Sequence, residues 1–156
     1  MVCFFQVLEH VPDPRGFLND AIKCLKPGGL LIFSVPSEDS FLSFAVNNVL
    51  NMPPHHLTRW SDRALRDLTS RFSLSIVSIH HEILADVHLK GYLEACVLRL
   101  MSPGYWRVSP LIDLSYFYKL KIKLSYIVVR LLTYLYKRIA HRPWGHSVTA
   151  VYRKET

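Results

Sequence analysis

The stretch from Phe4 to Pro36, FFQVLEHVPDPRGFLNDAIKCLKPGGLLIFSVP, leaves this chain few ways to fold. Met1 to Phe5 is short, apolar and rich in strand formers. Leu30 to Val35 is almost wholly apolar, the pattern of a strand covered on both faces of a parallel sheet. Between them, Asp13 is placed to cap a helix, and Pro14 suits its first turn because no amide donor is needed there. Phe17, Leu18, Ala21, Ile22 and Leu25 recur at helical spacing on one face, and Gly28 can take the left-handed stop. Strand, helix and strand in so short a stretch form a parallel crossover, which is right-handed almost without exception. It predicts half of a doubly wound α/β sheet.

Two turns of this stretch carry more than topology. Gln6-Val7-Leu8-Glu9-His10-Val11-Pro12-Asp13-Pro14, followed by Leu25-Lys26-Pro27-Gly28-Gly29-Leu30-Leu31-Ile32-Phe33, resembles the fourth and fifth strands of class I S-adenosylmethionine-dependent methyltransferases. The nearest group is that of small-molecule methyltransferases, which includes the ubiquinone-biosynthesis enzymes. The resemblance implies an α/β fold with a Rossmann-like methyltransferase sheet, here partial, with strands in the order 4-5-7-6 and a helical insertion before the last strand. It also implies S-adenosylmethionine as cofactor, touched by Phe5, Gln6 and Val7, and methyl transfer to a small or lipid-like acceptor. In that family the main cradle for the cofactor is a glycine-rich turn after the first strand. An acidic residue ending the second strand serves the ribose. These 156 residues hold no such turn, and their only Gly-Gly is Gly28-Gly29. The expectation is the C-terminal part of a methyltransferase, binding its cofactor weakly by itself and exposing the outer edge of Met1 to Phe5 to self-association.

Length fits one domain with its own core, and half of the residues are hydrophobic, which excludes wholesale disorder. The expected organisation is a single partial methyltransferase domain over 1–156, with a basic helical insertion over 82–143. Cys3, Cys24 and Cys96 are scattered and odd in number, so they read as small buried apolar residues in a reducing compartment. The N-terminus lacks the basic and apolar run of a secretory signal, and the default location is cytoplasmic.

After the second strand comes a polar loop, then Asn51-Met52-Pro53-Pro54-His55-His56-Leu57-Thr58-Arg59-Trp60. Ser61 is placed to cap a helix whose Leu65, Leu68 and Phe72 face inward, and Leu74 to Ile79 reads as a third strand. The resemblance puts the His55 to Trp60 loop over the active site, because sheets of this kind bind ligands beyond the carboxyl ends of their strands. Gln6 to His10 falls at the same edge. Each candidate has two readings. Glu9 and His10 can touch cofactor or substrate, or fix the turn by hydrogen bonding to the next helix. His55 or His56 can act as a general base or orient a substrate, since imidazole titrates near neutrality, or can hold the loop. Trp60 fits a core anchor better than a substrate platform. His80-His81-Glu82 and His88 lack the spacing of a helical zinc motif, and no metal is expected. Methyl transfer from a sulfonium is an in-line displacement that depends mainly on positioning. The absence of a nucleophile–base constellation therefore leaves it open.

The last third of the chain differs in character. Tyr92 to Met101 reads as a helix, Tyr116 to Ala140 as a longer one, and His146 to Lys154 as the final strand. Phe117, Leu120, Leu124, Ile127, Val128, Leu131, Leu135 and Ile139 form one stripe of the long helix, with Lys119, Lys123, Arg130 and Lys137 along another. Residues 1–98 carry 8 basic and 10 acidic side chains, a net of −2, whereas residues 99–156 carry 11 and 2, a net of +9. A basic amphipathic helix of this kind either rests on a membrane surface or packs as a lid with its cations in water. No nucleic-acid module is recognisable, so nucleic acid is not an expected partner. From another class of function, the chain can be a non-catalytic interaction or membrane-surface module.

Overall fold

The computed structural model describes residues 1–106, 111–136 and 142–155, which divide into two compact units. The first comprises Met1–Asp39, Leu50–Glu82 and His146–Thr156, and the second Ser40–Val49 and Ile83–Gly145.

The first unit is a four-stranded sheet with two helices. Strand β1 (Val2–Phe5) pairs in parallel with β2 (Leu30–Pro36), joined through helix α1 (Pro14–Lys23). Helix α2 (Asp62–Arg71) leads into β3 (Leu74–Ile83), and the final strand β4 (Trp144–Lys154) pairs antiparallel with β2. The order is β1-β2-β4-β3, the 4-5-7-6 arrangement of the methyltransferase sheet. Local chemistry sets the helix ends. The Asp13 carboxylate accepts from the Gly16 amide at 3.0 Å, and the Ser61 hydroxyl from the Ala64 amide at 3.2 Å. At the other end of α1, the Lys154 ammonium donates to the carbonyls of Ile22 and Leu25 at 3.0 and 2.8 Å, where orphan acceptors and the helix dipole favour a cation. Gly28 sits at φ 74°, a left-handed turn that other residues adopt only with strain.

One face of this sheet makes the core. Val2, Phe4, Leu31, Phe33, Val35, Val148, Ala150 and Tyr152 alternate inward and meet Phe17, Leu18, Leu65 and Leu68 of the helices. An aromatic row crosses the strands: Phe17 meets Phe4 edge-on at 5.0 Å, Phe4 stacks on Phe33 at 5.1 Å, and Phe33 on Tyr152 at 5.6 Å. The Tyr152 hydroxyl closes the row by donating to the Leu65 carbonyl at 2.8 Å. The opposite face is only partly covered, which corrects the expectation of a strand buried on both sides. Cys3 and Phe5 are exposed and Ile32 is half-buried. The cysteine expectation fails for the same reason, because Cys3 alternates outward between Val2 and Phe4. Cys24 lies exposed at the end of α1, and only Cys96 is partly buried.

In the second unit, α3 (Asp86–Leu100) and α4 (Tyr116–Tyr136) pack together through Leu89, Leu93, Val97 and Val129, with Leu84 beside them. The described part of α4 ends at Tyr136, so Lys137, Ile139 and Ala140 lie outside the described residues. Its buried side is Tyr118, Ser125 and Val129 rather than the long apolar stripe. Phe117, Leu120, Leu124, Ile127, Val128, Leu131 and Leu135 are all exposed, Ile127 by 76%. The helix has apolar residues on more than one side, and the side that meets the α3 cluster is the one with Val129, Leu132 and Tyr136.

Burial pushes the Tyr152 hydroxyl well above the ordinary phenol range of about 10. A raised value in the fold means that stability is whole below that range and lost as pH rises through it. Tyr152→Phe is expected to cost about 1 kcal/mol at neutral pH, from the lost hydrogen bond. Its stability should also fall less steeply than that of the parent above pH 10. Urea unfolding at neutral and alkaline pH checks this, and parallel pH dependences would refute it.

Strand β1 is an edge strand whose outer backbone row has no partner among the described residues, and Phe5 is 57% exposed beside it. We propose that a second copy of the chain pairs along this edge. Light scattering is expected to show association that Cys3→Lys with Phe5→Lys abolishes. A stable monomer of the unaltered chain at tens of micromolar would sink the proposal.

Candidate functional site

Past the carboxyl end of β1 the chain turns sharply. Gln6 adopts φ 54°, an uncommon conformation for a residue with a Cβ, and its amide donates to the Ser34 carbonyl at 2.9 Å. Its side-chain amide donates to the hydroxyls of Ser34 and Ser147, each at 3.4 Å. Phe5 and Val7 on either side are exposed apolar surfaces. A short 3-10 turn, Leu8–His10, follows and sends Leu8 into the core.

The loop that ends at α2 is fastened over this turn by backbone hydrogen bonds. The Glu9 carbonyl accepts from the amides of Leu57 and Thr58 at 2.7 and 3.2 Å, and the Leu8 carbonyl from the Thr58 hydroxyl at 3.3 Å. On the other side Trp60 bridges Ser37, and its carbonyl accepts from the Glu38 amide at 2.9 Å. Arg59 pairs with Glu38 at 2.9 Å. Trp60 itself is buried in the core, and its indole donates to the Thr58 hydroxyl at 2.9 Å.

This fastening brings together residues distant in sequence. The rings of His10 and His56 meet edge-on at 4.9 Å. His10 Nδ1 lies 2.6 Å from the His55 carbonyl, and His56 Nδ1 lies 3.1 Å from the Asn51 Oδ1. His55 contributes its carbonyl, and its side chain is exposed. The Glu9 side chain is 1% exposed, and neither of its carboxylate oxygens has a hydrogen-bond partner among the described residues. Its nearest cation is His10, whose Nε2 stands 3.8 Å away. The Glu9 backbone carbonyl ties the turn to the loop. Burial pushes its acid constant above the usual carboxylate range, against the smaller pulls of its own backbone amide and of His10. Burial also lowers that of His56, helped by neighbouring His10 and His55, which favours the neutral imidazole.

One ligand atom from each of Glu9, His10 and His56 can be chosen so that all lie within 4.8 Å of one another, a spacing within reach of a shared cation. Of the cofactor-side candidates, Phe5, Gln6 and Val7 line the turn but do not join that cluster. Sequence reasoning missed Asn51, buried five residues before His56 and bonded to it. Nothing in the spacing of a proline-containing loop announces that contact.

A methyltransferase-domain family profile matches residues 1–79, just over half of the chain. The chain belongs to the methyltransferase-domain family. The ubiquinone biosynthesis O-methyltransferase of Hydrogenovibrio crunogenus is 41% identical over 58 residues, 35% of this chain and 24% of that protein. The enzyme of the same name from Proteus mirabilis is 28% identical over 98 residues, 55% of this chain and 40% of its own. A Mycolicibacterium smegmatis protein, named a probable S-adenosylmethionine-dependent methyltransferase, is 26% identical over 122 residues, 74% of this chain and 46% of its own. The chain thus spans less than half the length of these curated relatives. Among solved structures, a Bacillus halodurans protein described as a methyltransferase superposes with a TM-score of 0.52 at 18% identity, covering 99% of this chain and 69% of that one. That likeness concerns the fold: a Rossmann-like methyltransferase sheet.

Proposed function

We propose that these residues supply the acceptor-facing side of an S-adenosylmethionine-dependent methyltransferase site that acts on a small or lipid-like acceptor. One observation carries the reading. Within the family-matched stretch, the Gln6–His10 turn and the His55–Trp60 loop are tied together at the carboxyl end of β1, where sheets of this type take ligands. Bound there, S-adenosylmethionine would supply an electrophilic methyl group on a sulfonium. The chain's own part is positioning: Phe5 and Val7 offer apolar surface, and Gln6 a side-chain amide anchored by two serines. Two relatives are named as O-methyltransferases of ubiquinone biosynthesis, which favours a hydroxyl on a lipid-like acceptor. His10 and His56 then stand where a hydroxyl proton can be accepted.

With few anchoring groups, these residues alone should bind S-adenosylmethionine weakly. An NMR titration with millimolar cofactor is expected to shift the amides of Phe5, Gln6 and Val7 first, and Gln6→Ala to remove the effect. No perturbation of that turn would refute the placement. Micromolar affinity would refute the weakness.

The exposed stripe of α4 fits the lipid-like side of this reading. No helix of the described residues is long and apolar enough to cross a membrane. Yet α4 shows Phe117, Leu124, Ile127 and Leu131 to the outside, with exposed Lys119, Lys123 and Arg130 on the same helix. No acidic residue occurs from Leu114 to Lys154. An apolar face flanked by cations alone matches an anionic bilayer surface. Vesicles containing anionic lipid are expected to sediment the protein, and added salt to weaken the association by screening. Both Leu124→Asp with Ile127→Asp and charge reversal at Lys119, Lys123 and Arg130 should abolish it. Equal sedimentation with neutral vesicles, or none with either kind, would overturn the bilayer reading. Dimerisation lost in the Leu124→Asp, Ile127→Asp variant would assign the face to a second copy.

A further inference from the structure

We propose that residues 49–56 form a lid over the candidate site, and that Asn47 ties the pose of this lid to the surface on which α4 rests. The proposal rests on the acceptor-facing reading of the flap and on the bilayer reading of α4, and adds a link between them.

The lid has two roots. At its far end the amides of Leu57 and Thr58 are fixed to the Glu9 carbonyl. Before its near end stands Asn47 at φ 58°, a left-handed conformation that asparagine tolerates better than most residues. The Asn47 side chain pairs with both backbone groups of Asp113. Its Nδ2 donates to the Asp113 carbonyl at 2.8 Å, and its Oδ1 accepts from the Asp113 amide at 2.9 Å. The Asn47 amide donates to the Leu111 carbonyl at 2.9 Å, and the Tyr118 hydroxyl to the Val46 carbonyl at 3.3 Å. Asp113 also starts the helix, since its Oδ1 accepts from the Ser115 amide at 2.8 Å. The near root is therefore bolted to the entry of α4.

Between the roots the chain has little slack. The Asn47 carbonyl accepts from the Val49 amide at 3.0 Å, and a 3-10 turn spans Val49–Asn51. From Asn47 to Asn51 the chain reaches about 13 Å at full extension, so a shift of the root passes to Asn51. Asn51 Oδ1 in turn lies 3.1 Å from His56 Nδ1. Leu50, Pro53, Pro54 and His55 are exposed, and a side chain ties the tip to the turn beneath: His10 Nδ1 lies 2.6 Å from the His55 carbonyl oxygen. Such a segment opens more readily than the roots that hold it.

The near root stands where an apolar surface acts first. Leu111, Ile112, Leu114, Tyr116 and Phe117 are all exposed, Leu114 by 76% and Phe117 by 73%. The backbone partners of Asn47, Leu111 and Asp113, lie among them. Covering these side chains orders the backbone that carries the root, and a lid rooted there loses freedom with it. His56 is then held in place when a lipid-like acceptor is at hand.

The test follows hydrogen exchange of the full chain by mass spectrometry, with and without vesicles of phosphatidylglycerol and phosphatidylcholine, and scores sedimentation in the same samples. On vesicles, exchange across residues 49–56 is expected to slow about threefold or more. Asn47→Gly removes the clamp but suits the positive φ, so it should sediment like the parent and show no slowing. Asn47→Asp keeps the acceptor oxygen and loses the donor, and should give an intermediate response. Circular dichroism checks the fold of both. Sedimentation of the parent with unchanged exchange would overturn the link and leave the bilayer reading standing. Equal slowing in the parent and Asn47→Gly would also overturn it, since the exposed Val49 and Leu50 would then touch the bilayer themselves. A parent that does not sediment would overturn the bilayer reading and this proposal together.

Discussion

The candidate site depends on one backbone carbonyl. Glu9 lies just beyond the carboxyl end of β1, and its carbonyl receives the amides of Leu57 and Thr58 from a loop some fifty residues later. Those two bonds convert a proline-containing connection into a fixed flap and set His56 against His10. They also bury the Glu9 side chain beneath the flap. A main-chain acceptor suits this work, because it holds the loop whatever side chains the loop carries.

The platform under the flap owes its rigidity to the aromatic row. Phe17, Phe4, Phe33 and Tyr152 link α1, β1, β2 and β4 in sequence, and the Tyr152 hydroxyl extends the row to α2. Stacked rings contribute area and a geometric preference at once, so the strands keep their register while the turns at their ends depart from regular structure. The positive φ of Gln6 is tolerated at such an end, held by the Ser34 carbonyl and two serine hydroxyls.

The second unit follows a different logic. Its core is small, built from α3, Leu84 and one side of α4, and the bulk of the apolar residues on α4 face outward. The exposed apolar stripe and the lack of acidic residues on this helix are the two features on which the proposed bilayer contact rests.

Short-range chemistry was legible from the sequence. Asp13 and Ser61 cap their helices, Gly28 turns left-handed, and Leu30 to Pro36 forms a strand because each choice is settled within a few residues by sterics and hydrogen bonding. The crossover and the family resemblance followed from the same residues, and with them the strand order. What periodicity cannot say is which of two apolar sides a helix will bury, since that depends on the partner that arrives. On α4 the partner is α3, and it took Tyr118, Ser125 and Val129 instead of the longer stripe. Nor can spacing foretell that Glu9 would lose its solvent, or that Asn51 would orient His56. Those outcomes belong to the loop closed by the Glu9 carbonyl, a long-range contact whose geometry exists only once the sheet has formed.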